Sequence, residues 1–309
     1  MDEWAAWMWL SDTADSLTSE PLKLLERYGS PTAIADAKPA DLAGLASQRF
    51  LEALRRTRER YERPEVSHKM ADLAGSGGDM LTHADERYPP ALRTIPNPPL
   101  ILFVRGRLRS FERAVAVIGT RAPTHKGYTA ARVLAEQLAR EGYCVVSGLA
   151  RGIDTMAHCG ALDSGGTTVA VLPGPLTFLY PPENVLLAED IARSGALVAE
   201  NSPLVNIDGR PGQRYRWVTR NRITSGLSDA LVVVEATDSG GSMHQIRFAV
   251  EQRRRICILA PGIEAPARIR RGFDEAVALG AEPFDSGEEL LQMLKAHRMP
   301  RDAQQTLPT

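Results

Sequence analysis

Arginines stand beside glycines at several points of this sequence where a chain leaving a buried strand would expose them. Arg121 closes the run Gly119-Thr120-Arg121 directly after AVAVI, and Arg151 lies inside SGLARGID, residues 147–154. Arg210, Arg214, Arg216, Arg220 and Arg222 fall within thirteen residues that hold no acid, with Tyr215 and Trp217 interleaved. A guanidinium is a planar fork that grips a phosphate through two hydrogen bonds, and an aromatic face stacks a base for roughly 1–3 kcal/mol. Gly119 would let a ligand approach the backbone, and Thr120 would offer a hydroxyl. Ser147, Gly148 and Gly152 around Arg151 make a candidate anion nest ahead of a helix. Ser239 and Gly240 repeat that pattern, with Ser242 as a possible N-cap. The chemistry these residues suit is the holding of several phosphates in a row.

Other chemistries find less support. Asp154 would repel a phosphate, so it is expected to cap the helix that follows. His158 lies four residues on along the same face, and the pair could share a metal, but with no third ligand in view a polar contact is the expectation. Asp15, Glu200 and Glu235 show no paired spacing and are expected in buried or capping roles. There is no nucleophile elbow, HExxH, Walker A or GxGxxG run. Neither an enzyme, a metal nor a cofactor is expected.

The elements that must position these residues follow from the apolar pattern. Across 309 residues, 43% are hydrophobic and 24% charged, which suits a globular protein and argues against disorder or a disulfide scaffold. Residues 1–65 look like a small all-helical domain of the helix-hairpin-helix kind, 66–84 like a linker, 85–297 like a Rossmann-like domain, and 298–309 like a polar tail. Within the large domain, short apolar runs at Leu100–Val104, Ala114–Ile118, Cys144–Val146, Thr168–Leu172, Leu197–Ala199, Leu231–Glu235 and Ile256–Leu259 alternate with helical spacing. That alternation predicts an α/β fold with a doubly wound, mostly parallel sheet. Ligands of such sheets bind beyond the carboxyl ends of the strands, so Arg121, Arg151 and Arg222 are expected to converge on one rim.

The charge balance of 37 Lys and Arg against 38 Asp and Glu leaves a net −1, so any nucleic-acid binding must come from a local patch. Cys144, Cys159 and Cys257 form no CxxC pair and read as reduced, buried thiols. No apolar run suits a membrane span and no secretory leader opens the chain, so a cytoplasmic protein without a membrane partner is expected.

Taken as a set, VAVIGTR, SGLARGIDTMAHCGAL, GGTTVAVLPGPLTFLYPPENVLL, RNRITSGLSDALVVVEATDSGGS and APG resemble the DNA-processing protein A (DprA, or Smf) family. The resemblance runs from about Asp85 to about Leu294. It implies an extended Rossmann domain that binds and protects single-stranded DNA, forms a homodimer, and loads the recombinase RecA during DNA uptake and recombination. By motif, Arg121 matches the family's phosphate-binding arginine, Arg151 the basic position of its SGLAxGID block, and Arg220, Asn221 and Arg222 its RNR run. The chain departs from the family at Ala199-Glu200-Asn201, Trp217-Val218-Thr219 and Met243-His244-Gln245, and the winged helix many members carry at their C-terminus is not expected here. Two alternatives use the same fold: a nucleotide-ligand sensor, or a nucleotide phosphoribohydrolase, whose PGGxGTxxE motif SGGSMHQIR only partly matches.

Overall fold

A computed structural model describes residues 1–14, 18–108, 113–205 and 215–296. The chain opens with helices α1 (Glu3–Thr13), α2 (Glu20–Tyr28), α3 (Pro31–Asp36), α4 (Pro39–Leu42), α5 (Gln48–Tyr61) and α6 (Pro64–Gly75). Asp2 caps α1 by accepting the Ala5 amide at 2.8 Å, and the run Ala5–Leu10 is buried. The Trp9 indole donates to the Leu54 carbonyl of α5 at 2.9 Å, satisfying its one donor inside the core.

Residues 66–84 are not an open connection. They hold most of α6 and all of strand β1 (Gly78–Thr82). Met80 and Leu81 are buried, and β1 pairs antiparallel with β2 (Ile101–Gly106), from Gly78 opposite Arg105 to Thr82 opposite Ile101. A linker would leave those apolar side chains in water, which costs about 25 cal/mol per Å². The polar composition around them hid a strand of five residues.

The remaining strands are β3 (Ala114–Ile118), β4 (Cys144–Ser147), β5 (Thr168–Leu172), β6 (Ala196–Ala199), β7 (Ala230–Val233), β8 (Arg255–Leu259) and β9 (Glu282–Phe284). Among the described residues one sheet runs β1-β2-β6-β5-β4-β3-β7-β8-β9. From β6 to β9 every pairing is parallel; β2 joins β6 antiparallel. The chain winds from β3 through β4 and β5 to β6 on one side and from β7 to β9 on the other, so the order reverses beside β3. Helices α8 (His125–Arg140), α9 (Ile153–Asp163), α10 (Val185–Ser194), α13 (Gly241–Glu251), α14 (Ala267–Ala278) and α15 (Gly287–Ala296) cover the sheet. The α/β, doubly wound, mostly parallel fold expected from the alternating runs is the one observed. β9, with its proline and two exposed residues, gives no apolar run to detect.

The opening helices and the sheet share one apolar core. Trp7, Leu24, Ile34 and Leu54 pack in the same cluster as Phe103, Leu172, Ile191 and Leu197. The arginine-rich stretch, expected as a loop, is helical where described: α11 (Tyr215–Thr219) and α12 (Asn221–Gly226) meet at Arg220. Ile223 of α12 packs with Leu92 of the short helix α7 (Pro90–Arg93) and with Ile95, and this apolar anchor pulls the basic segment onto the sheet.

Gly160 sets the approach of α8 to α9, because a Cβ there would overlap the Arg132 carbonyl oxygen of α8. Gly160→Ala is therefore expected to lower stability by about 1–3 kcal/mol in urea unfolding. Gly75→Ala, at a position with open space around it, should leave the urea midpoint unchanged or raise it slightly.

Candidate nucleic-acid interface

Beyond the carboxyl ends of β3, β4 and β5 lies a recess lined by Arg121, Gly148, Ala150, Arg151, Pro173, Tyr180, Trp217 and Arg220. Its innermost cation is Arg220, only 7% exposed. The guanidinium donates to the Val171 carbonyl at the end of β5 and lies so close over Gly148 that any Cβ there would collide with it. Its Nε has no hydrogen-bond partner. Burial lowers its pKa to about 10, against the pull of the Asp154 carboxylate and with a smaller push from Arg121. The group stays charged at neutral pH. A buried cation with a spare donor is strongly drawn to an anion.

Arg121 is exposed at the mouth of the recess. Its backbone is held from two sides. The Thr120 amide donates to the Glu235 carbonyl at 2.7 Å and the Ile153 amide to the Thr120 carbonyl at 3.3 Å. Gly152, at φ +82°, lets the two loops touch: a Cβ there would stand 2.5 Å from the Thr120 oxygen and 2.9 Å from that of Arg121. Gly119 serves packing too, since its missing Cβ makes room for the Glu235 carbonyl and Ile153 rather than for a ligand.

Arg151 is half exposed and ion-paired with Glu183, one bond running from Nη2 to Oε2 at 3.1 Å. Its guanidinium also stacks 5.8 Å from the centre of the Tyr180 ring. Tyr180 in turn lies parallel to Phe178, with centroids 6.1 Å apart and planes 6° from parallel. Trp217 lines the recess, whereas Tyr215 is 48% exposed with the Arg216 guanidinium 5.3 Å from its ring. Sequence reasoning missed Tyr180. The only available signal was its position in the loop after β5, at the same edge as the arginines.

Several expected site residues are engaged elsewhere. Arg222 is 1% exposed and forms a two-armed pair with Glu200, with Nη1 to Oε2 at 2.9 Å, while its Nε donates to the Asn97 carbonyl at 2.9 Å. It belongs to the interior and not to the rim, because the helical turn of α12 points it away from its neighbour Arg220. Asn221 is buried, its Nδ2 reaching the Gly241 carbonyl at 3.5 Å. The Ser147 hydroxyl donates to the Val117 carbonyl at 2.7 Å, so its proton is already used. Ser239 and Gly240 precede α13 but do not line the recess. Gly240 is the N-cap there, not Ser242, whose buried hydroxyl lacks a partner. Arg210 and Arg214 lie outside the described residues, as do Asp15 and the tail at 298–309.

The nest around residues 147–152 is filled from within. Asp154 does not cap α9, whose N-cap is Gly152; its Oδ2 instead accepts the Gly148 amide at 3.2 Å and the Ala150 amide at 3.4 Å. Burial raises its pKa, opposed by Arg220 and these two amides. His158 is fully buried with Nδ1 2.7 Å from the Thr168 hydroxyl. That hydroxyl spends its proton on the Val145 carbonyl at 2.7 Å, so His158 must be the donor and carries its proton on Nδ1. Burial, aided by Arg220, lowers its pKa to about 3. Among the described residues no group of three or more His, Cys, Asp or Glu could hold a metal, and no helix is long and apolar enough to cross a membrane.

Residues 79–295 match the family model described as DNA recombination-mediator protein A. The DNA processing protein DprA of Bacillus subtilis is 31% identical over 233 residues, which are 75% of this chain and 76% of that protein. The structure of DNA processing protein A from Streptococcus pneumoniae superposes with a TM-score of 0.74 at 29% identity, covering 92% of this chain and 95% of the other. That of DNA processing protein A from Helicobacter pylori, a study of the single-stranded DNA binding mode of that protein, gives 0.61 at 27% identity, covering 71% and 96%.

Breaking the interior pair by Arg222→Met should cost roughly 3–5 kcal/mol of stability, because Glu200 is left without its partner; an unchanged urea midpoint would return Arg222 to a surface role. His158 yields a pH signature. The unfolded imidazole takes up a proton as pH falls through about 6.5, whereas the folded one stays neutral until about 3. Stability is thus complete above about pH 6.5 and falls on acidification by up to about 1.4 kcal/mol per pH unit. Chemical unfolding of His158→Gln between pH 4 and 7 should show a slope smaller by that amount.

Proposed function

The chain belongs to the DNA recombination-mediator protein A family, and from that premise we propose that it binds single-stranded DNA across the recess at the carboxyl edge of its sheet. The observation that carries this reading is the meeting of three guanidinium groups, Arg121, Arg151 and Arg220, with two aromatic rings, Trp217 and Tyr180, around one recess. The arginines take phosphates and the rings take bases, the two contacts that a strand without sequence preference offers at every nucleotide. Tyr180 joins Trp217 as a stacking face because it is 39% exposed and backed by Phe178. Arg220 supplies the innermost charge, where water screens it least. Tyr215, exposed at the start of α11, offers one further ring to the strand.

Membership of that family supports a wider role. The protein coats and protects incoming single strands in the cytoplasm as a homodimer and delivers them to the recombinase RecA for homologous recombination. No chemical step on the DNA is part of this role. A mediator needs a grip that releases, and exposed arginines on a strand of phosphates provide one whose strength is set by counter-ion release.

The test is affinity against salt. With roughly four to six phosphates engaged, log affinity for a single strand should fall with log salt at a slope near −3 to −4, and a salt-insensitive interaction would sink the reading. Arg121→Ala should weaken binding roughly tenfold, equally for strands of different base composition, with the thermal midpoint unchanged. Mobility shifts on single-stranded and double-stranded oligonucleotides, with and without RecA, separate strand binding from delivery.

A further inference from the structure

The loop that presents Arg121 ends at α8, and α8 has an internal anion at its N-terminus. Glu235, just after β7, accepts the Thr124 amide on Oε2 at 2.9 Å and the Thr124 hydroxyl on Oε1 at 2.5 Å. The same hydroxyl accepts the Gly127 amide at 3.0 Å, capping the helix. Through its main chain Glu235 also takes the Thr120 amide at 2.7 Å. One residue therefore grips the Arg121 loop at both ends, Thr120 and Thr124. Gly127 is the complement of this arrangement: a Cβ there would meet the carboxylate oxygens at 2.6 and 2.7 Å. A glycine in the first turn of a sixteen-residue helix gives up helix propensity, and here it makes room for a charge. The negative carboxylate is favourable at this end of the helix dipole.

We propose that Glu235 is the positioning residue for strand binding: its carboxylate fixes the Thr124 end of the loop whose Thr120 end its main-chain carbonyl holds, so that the Arg121 guanidinium is presented to a phosphate without a conformational cost. The proposal rests on the strand-binding reading above. Pre-organisation of this kind acts through the arginine, so the contributions of Glu235 and Arg121 are not additive.

The experiment measures fluorescence anisotropy of a labelled oligothymidylate with the full chain and four variants: Glu235→Gln, Gly127→Ala, Arg121→Ala, and the double variant Glu235→Gln with Arg121→Ala. Gly127→Ala keeps the carboxylate and displaces it, so it probes the position independently of the charge. Glu235→Gln and Gly127→Ala should each weaken binding about threefold to tenfold and, as the Arg121 contact is lost, reduce the salt slope by about 0.7, the contribution of one phosphate. The double variant should bind no more weakly than Arg121→Ala alone. A purely structural role would lower the thermal midpoint and leave the slope and additivity unaffected, and that result overturns the proposal. Unaltered affinity in Glu235→Gln and Gly127→Ala beside a weakened Arg121→Ala overturns it too, with strand binding intact. If the unaltered chain binds no oligothymidylate, strand binding falls and the proposal with it.

Discussion

A guanidinium almost sealed beneath the ends of three parallel strands dictates the form of this edge of the molecule. Arg220 gives up most of its hydration, a loss of several kcal/mol for an ion unless opposite charge and hydrogen bonds replace the water. The fold supplies Asp154 as the nearby opposite charge and the Val171 carbonyl as an acceptor. Asp154 must then be satisfied in turn, and the Gly148 and Ala150 amides bend toward it. Gly148 is glycine because the guanidinium lies on it. The shape of the loop after β4 is thus a consequence of one buried cation.

Carboxylates occupy the positions where anions are usually expected on such a fold. Asp154 fills the backbone nest after β4, Glu235 fills the N-terminus of α8, Glu200 neutralises Arg222, and Glu183 shares Arg151. Rossmann-like folds commonly seat a pyrophosphate at the helix that follows the first strand; here that seat holds a side chain. The groups left to an external anion are side-chain cations gathered across three loops. Such a surface suits an extended polyanion better than one compact phosphate cluster.

The opening helices bear on this edge through more than a shared apolar core. Asp12 of α1 accepts the Tyr61 hydroxyl at 2.9 Å and the Ser202 amide at 3.4 Å, and Arg60 of α5 donates to the Leu204 carbonyl. Asn201, in the same stretch after β6, receives a hydrogen bond from Arg216 of α11. The helical layer, the end of β6 and the helix that carries Trp217 are therefore coupled by short polar links. Movement of the helices relative to the sheet would be felt at Trp217.

The sequence alone determined the alternation of short apolar runs and helical spacing, and with it a doubly wound sheet whose loops carry arginine, because burial on both faces leaves no other residue pattern for a parallel strand. It also determined which family's motifs the chain carries. Tertiary structure decided which of those arginines reach solvent. Arg220 and Arg222 are two residues apart in one basic run, yet a helical turn aims the first into the recess and the second at Glu200. It decided as well that Asp154 and Glu235 receive backbone amides from distant or folded-back segments, and that Tyr180 stands beside Trp217. Charge and residue type are written along the chain, whereas the partner that neutralises each charge is fixed only when segments far apart in sequence are brought within a few ångströms.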